Sequence, residues 1–161
     1  MPANGASYES IAGALRSSGC PRCPMPSSRR VLVVDDNRVV AETVATLVRI
    51  LGHDCTCAYD GPTAIRIAAD YIPDVILLDL KMPGMDGFAV ARSLRQSGSN
   101  SRIVAITAFG ESVFAEKPSD AGFDAVLTKP ATADQIAAIL DALTPASNSP
   151  WFRAAAVNPR Q

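Results

Sequence analysis

The stretch Asp74-Val75-Ile76-Leu77-Leu78-Asp79-Leu80-Lys81-Met82-Pro83-Gly84-Met85-Asp86-Gly87 decides the fold. Val75–Leu78 is an unbroken apolar run, too short for a helix and apolar on both faces, which is how a strand buried inside a sheet reads. The run stops at a carboxylate, Asp79, and Pro83-Gly84 supplies a turn immediately after. A buried strand that ends this way delivers one acid to the edge of a sheet.

Outward from this strand the pattern alternates. Upstream, Val31–Val34 is a second apolar run, followed by Val40, Val44, Leu47, Val48 and Leu51 at helical spacing up to Gly52, a helix stop. His53, Cys55 and Cys57 alternate as in a half-exposed strand, with His53 expected to be solvated. Ala64, Ile67, Ala68 and Tyr71 mark a helix that Pro73 ends. Downstream, Phe88, Ala91 and Leu94 mark a helix ending before Gly98, and Ile103–Ile106 a strand. Val113 and Phe114 start a helix that Pro118 shortens or kinks. Ala125–Leu127 is a strand, and Ile136, Ile139, Leu140 and Leu143 mark the last helix. This is a (βα)5 pattern. Apolar strands separated by amphipathic helices give a parallel sheet covered on both faces, and right-handed crossovers close it as a doubly wound sheet.

Sites in such sheets form at the carboxyl ends of the strands. The first strand ends in Asp35-Asp36, the third in Asp79, the fourth in Thr107 and the fifth in Thr128-Lys129-Pro130. Carboxylates gathered on one rim repel one another and stay ionised together only around a cation. All-oxygen ligands suit Mg²⁺, and a lysine and a hydroxyl beside them suit an anion. These are the parts for phosphoryl transfer to an aspartate.

At these residues the chain resembles the receiver domain of two-component response regulators, above all the single-domain chemotaxis type and the receivers of hybrid histidine kinases. The resemblance runs from about Arg29 to Leu143. It is carried by Val33-Val34-Asp35-Asp36-Asn37, by Leu77 to Gly87, by Ile106-Thr107-Ala108 and by Leu127-Thr128-Lys129-Pro130. It implies a flavodoxin-like strand order 2-1-3-4-5. It also implies Asp79 as phosphoacceptor, Asp36 as direct Mg²⁺ ligand and Asp35 as the acid holding the metal's waters. Lys81 falls where a backbone carbonyl reaches the metal, Thr107 matches the switch hydroxyl and Lys129 the phosphate-contacting lysine. A cis Lys129–Pro130 bond is implied as well. The partner implied is a histidine kinase or a histidine phosphotransfer protein. Val126 departs from the pattern, since the family commonly has Tyr or Phe three residues before the lysine. Lys81 and Phe109 stand where the family tunes water access to the acyl phosphate.

The resemblance divides the chain into an arm (1–28), the receiver domain (29–143) and a tail (144–161). The arm is rich in Ser, Pro, Gly and Ala, and reads as largely disordered. Its Cys20-Pro21-Arg22-Cys23 lacks a second ligand pair for zinc and the strand and helix of a redox site, so it reads as two thiols in the arm. Cys55 and Cys57 read as small core or edge residues. In the tail, Trp151-Phe152 either docks back onto the domain or contacts a partner. The tail is too short for an effector domain, so output is expected through protein contacts or onward relay. With 15 basic and 16 acidic residues among 161, bulk charge points to neither nucleic acid nor membrane. No apolar run nears the roughly 18 residues of a membrane span, and no secretory signal is visible, which makes the cytoplasm the expected location.

Other functions fit less well. An aspartate-nucleophile phosphatase places an acid two residues after its nucleophile, where this chain has Lys81, so no turnover of outside substrates is expected. Flavin binding needs a phosphate loop after the first strand, and Asp35-Asp36 repels phosphate. A pseudo-receiver acting only as a docking scaffold is the alternative that Val126 leaves open; the acids and Lys129 argue against it.

Overall fold

A computed structural model of the chain describes residues 28–108 and 118–142. Its strands are β1 (Arg30–Val34), β2 (Asp54–Ala58), β3 (Val75–Asp79), β4 (Arg102–Thr107) and β5 (Ala125–Thr128). Its helices are α1 (Arg38–Ile50), α2 (Gly61–Tyr71), α3 (Gly87–Gln96) and α4 (Ala133–Ala142). The strands form one sheet in the order β2-β1-β3-β4-β5, every pair parallel. The expected doubly wound sheet and strand order are therefore present. The helix expected at Val113 and Phe114, Phe109, the Cys20–Cys23 arm and the Trp151-Phe152 tail lie outside the described residues.

Strand alternation builds two cores. Side chains of successive strand residues point to opposite faces. Val31, Val33, Val75, Leu77, Val104 and Ile106 pack with α1 and α4 on one face. Leu32, Val34, Ile76, Leu78, Ile103 and Ala105 pack with residues of α2 and α3 on the other. The central strands are thus apolar at every position because both sides are covered. On β1 and β3 the residues of the α1 face are odd-numbered, and that alternation continues to Asp35 and Asp79.

The helices start and stop on local chemistry. Asn37 caps α1, its side chain accepting from the amides of Val39 and Val40. Asp60 caps α2 through the Thr63 amide and Asp86 caps α3 through the Ala89 amide. α1 stops at Leu51, before Gly52 with φ +92°.

One expectation is corrected here. His53 is not solvated: it precedes β2, is 8% exposed, and its Nδ1 accepts from the Arg29 amide at 3.3 Å. The connection from α1 into β2 turns it inward beneath the sheet. Cys55 and Cys57 take the expected places of small core or edge residues, Cys55 buried and Cys57 half-buried.

Candidate functional site

Because the strands are parallel and in register, their carboxyl ends share one rim. Val34 pairs with Leu78 and Asp79 with Ile106, which sets Asp35 and Asp79 at the same level on neighbouring strands and Thr107 one residue beyond it on the next. Thr107 pairs with Thr128, placing Lys129 one step further on the fifth. Carboxylate oxygens of Asp35, Asp36 and Asp79 all lie within 4.8 Å of one another. Asp35 and Asp79 are buried and Asp36 is exposed.

The two buried acids are each held by the amide two residues further on. The Asn37 amide donates to Asp35 Oδ1 at 2.9 Å, and the Asp35 amide donates to the Ala58 carbonyl at 3.2 Å. The Lys81 amide donates to Asp79 Oδ1 at 3.4 Å while the Lys81 side chain is exposed. Lys129 spans the pair of buried acids, its Nζ 2.7 Å from Asp35 Oδ2 and 3.3 Å from Asp79 Oδ1. The Lys129 amide donates to the Thr107 carbonyl at 2.8 Å, and the Lys129–Pro130 bond is cis. Thr107 is 4% exposed.

The electrostatics follow from crowding. Burial raises the Asp79 pKa first and the Asp35 charge adds to it, against the pull of Lys129 and the Lys81 amide. Burial alone would lower the Lys129 pKa, but its hydrogen bond to Asp35 and the charges of Asp79 and Asp35 outweigh it and raise the pKa. Three acids against one lysine leave the rim short of positive charge. A hard divalent cation with oxygen ligands and open positions fits that deficit and that donor set, and Mg²⁺ is such an ion.

Beside the acids lies an apolar groove of about 440 Å³ between α1 and the β5–α4 connection. Val39, Thr43 and Leu47 form one wall, Pro130 and Ala131 the other, and Asp35, Asp79 and Lys129 sit at its head. The helical reading of α1 rested on Val40, Val44, Leu47, Val48 and Leu51. Val39 falls outside that set, and this was the one sequence signal of an exposed apolar residue beside the site; it is 75% exposed.

All the candidate residues converge on the rim: Asp35, Asp36, Asp79, Lys81, Thr107 and Lys129. Val126 is half-buried and packs among the apolar residues of the α2 and α3 face, which include Phe88. Tyr59 at the end of β2 does more than the sequence suggested, since the Arg38 guanidinium stacks over its ring at 4.4 Å. Gly87 opens α3 directly after its cap, Asp86. It lies so close to the Asp79 carbonyl that any side chain would strike it. The Asp86-Gly87 pair carried a turn signal but no signal of that approach.

Residues 31–141 match the family model of the response regulator receiver domain. The response regulator MprA of Mycobacterium ulcerans is 36% identical over 116 residues, 72% of this chain and 50% of the relative. MprA of Mycobacterium avium is 36% identical over 114 residues, 71% of this chain and 50% of the relative. The chain thus spans about half the length of the curated relatives it matches. Among solved structures, a LuxR-family two-component response regulator from Aurantimonas is 32% identical with a TM-score of 0.63, covering 71% of this chain and 86% of that one. The chemotaxis protein CheY4 of Vibrio cholerae has a TM-score of 0.68 at 24% identity, covering 73% of this chain and 100% of that one, a likeness of fold. The chain belongs to the response regulator receiver domain family, which takes part in two-component signalling.

Proposed function

We propose that this chain accepts a phosphoryl group on Asp79 from the phosphohistidine of a histidine kinase or a histidine phosphotransfer protein, and that the modified rim then alters a protein-binding surface or relays the group onward. An Asp79 carboxylate oxygen attacks phosphorus, the phosphorus–nitrogen bond of the donor breaks, and an acyl phosphate forms on Asp79 as the donor imidazole, already protonated on its other ring nitrogen, leaves neutral. The observation that carries this reading is the meeting of three carboxylates within 4.8 Å with Lys129 laid across two of them.

Asp35, Asp36, Asp79 and the Lys81 carbonyl would hold Mg²⁺. The ion supplies charge neutralisation at the phosphoryl oxygens. Lys129 gives one more positive charge to the incoming group, which requires it to loosen its bridge to Asp79. Thr107, buried one step beyond the pairing partner of Asp79, offers its hydroxyl to the phosphoryl group once it is in place. Val126 puts no aromatic ring in the fifth strand, so the switch runs through Thr107 and Lys129 without ring rotation there.

The chain acts as acceptor and not as an enzyme on outside substrates, and works in the cytoplasm as residues 29–143 of a chain with arm 1–28 and tail 144–161. Among the described residues, no helix is long and apolar enough to cross a membrane. Intact-mass measurement after incubation with acetyl phosphate and Mg²⁺ tests the proposal. One added phosphoryl group is expected, absent in Asp79→Asn and with chelator. No adduct across several phosphodonors would favour the scaffold reading instead.

A further inference from the structure

A second cavity lies at the opposite end of the sheet from the acids. It opens between the carboxyl-terminal halves of α2 and α3, at the amino ends of β1, β3 and β4, and measures about 1090 Å³. Small-molecule sites run to roughly 300–1,000 Å³, so there is room for one. Its floor is apolar, formed by Ile65, Ala68, Leu94 and Phe123 of the core under α2 and α3. Ile72 stands at its mouth, 62% exposed.

Most polar groups around this cleft are spent. Asp74 Oδ2 accepts the Arg30 amide at 2.8 Å, and Asp124 accepts from Arg95, Arg102 and the Ile103 amide. Arg95 also donates to the carbonyls of Gly122, Ser99 and Ser101. The hydroxyls of Ser97, Ser99 and Ser101 donate to the Leu94 carbonyl, to Ser101 Oγ and to the Pro73 carbonyl. Two guanidiniums are different. Arg30 is exposed, and is held by an Nη1 bond to the Tyr71 carbonyl at 2.8 Å and by the Tyr71 ring at 5.9 Å. Arg102, 54% exposed, is held by Asp124 at 3.0 Å. A guanidinium carries five N–H donors, so each has donors left over. The two residues begin strands that lie two apart in the sheet, about 10 Å. Around the cleft, Arg29, Arg30, Arg95 and Arg102 stand against Asp74 and Asp124, an excess of two positive charges. Carbonyls at helix ends disfavour an anion, but those of Tyr71 and Leu94 are already taken by Arg30 and Ser97.

We infer that this cleft is a binding site for a small organic dianion. An apolar ring system lies on Ile65, Leu94 and Phe123, and an anionic group meets each of Arg30 and Arg102. Carboxylate, sulfonate and phosphate share the paired oxygens that the guanidinium fork holds. Apolar contact supplies the affinity, and the two arginines select the sign of the charge. The site is at the far end of the strands from Asp79 and does not rest on the phosphoacceptor reading.

The full chain can be titrated with bis-anilinonaphthalene disulfonate, an apolar dye with two anionic groups, and with neutral N-phenylnaphthylamine for comparison. Emission of the disulfonate should saturate at one dye per chain. Arg30→Gln and Arg102→Gln should each weaken its binding about tenfold, since each removes a charged hydrogen bond. Lysine at either position should restore part of the loss, keeping the charge without the fork. Ile72→Gly should weaken both dyes, while the neutral dye should bind less tightly and ignore the arginine substitutions. Near-ultraviolet circular dichroism checks that each variant keeps its native packing, because such dyes also light up on loosened chains. Absence of saturable binding would overturn the site. So would disulfonate binding that the double variant Arg30→Gln/Arg102→Gln leaves unchanged, or a neutral dye bound as tightly. Binding lost in Val39→Glu but kept in the arginine variants would place the dye in the groove beside the acids, and overturns the site too.

Discussion

A Cβ built on Gly87 would lie 2.4 Å from the Asp79 carbonyl oxygen and 2.7 Å from the Leu80 Cα. Both are backbone atoms, and the Gly87 amide is itself donated to the Leu80 carbonyl at 3.0 Å. The backbone on either side cannot yield without moving Asp79. Two effects compete in Gly87→Ala. Alanine favours the first turn of α3 by about 1 kcal/mol, whereas forcing a methyl into a packed site costs about 1–3 kcal/mol. A contact against backbone sits at the upper end of that range, so the clash wins. Urea denaturation of Gly87→Ala is expected to show a net loss of about 1–2 kcal/mol, with slower labelling of Asp79 by acetyl phosphate. An unchanged or higher midpoint would show that the turn relaxes freely. The acids were legible from sequence because each ended an apolar run. Gly87 was not, because a glycine after an aspartate reads as a turn whether or not another strand's carbonyl lies against it.

At the scale of elements, apolar periodicity was a dependable guide and backbone conformation was not. The run Val75–Leu78 became β3, with Asp79 as its last residue. Asn37 caps α1 through the Val39 and Val40 amides. Pro73 was read as the stop of α2, and the helix does end before it, but through Ile72 in the left-handed region at φ 48° and ψ 66°. Nothing in a β-branched residue announces positive φ, which costs such a residue about 1–2 kcal/mol. The Ile72 side chain is 62% exposed, so little packing is lost if it is removed. Ile72→Gly relieves the strain, while the freer unfolded chain takes back about 0.5–1 kcal/mol. The net expectation is a gain of about 0.5–1 kcal/mol, read as a rise in thermal midpoint with phosphorylation by acetyl phosphate unaffected. A fall in the midpoint would mean that the Ile72 side chain has contacts worth more than its strain.

The whole molecule separates chemistry from support by the direction of its strands. Carboxyl ends carry the acids and Lys129. Amino ends are tied by arginines, as where the Arg95 guanidinium donates to the carbonyls of Gly122, Ser99 and Ser101 and to Asp124. His53 lies at this second end, and burial lowers its pKa first, the Arg29 charge adding to this and Asp141 opposing it. Neutral His53 also accepts the Arg29 amide proton at Nδ1, a bond that imidazolium cannot make. A depressed folded pKa means that the unfolded chain binds more protons as pH falls through the ordinary histidine value of about 6.5. The stability from this residue is therefore complete above that pH, and is lost as pH falls through the lower folded value. Carboxylates titrate in acid as well, so the parent chain alone does not isolate His53. The difference between the parent and His53→Gln does, because glutamine keeps an acceptor without a proton to gain. From about pH 7.5 to about pH 5 the parent should lose more thermal stability than His53→Gln. Parallel loss in the two proteins would place the acid sensitivity among the carboxylates of the rim and leave His53 a neutral spacer.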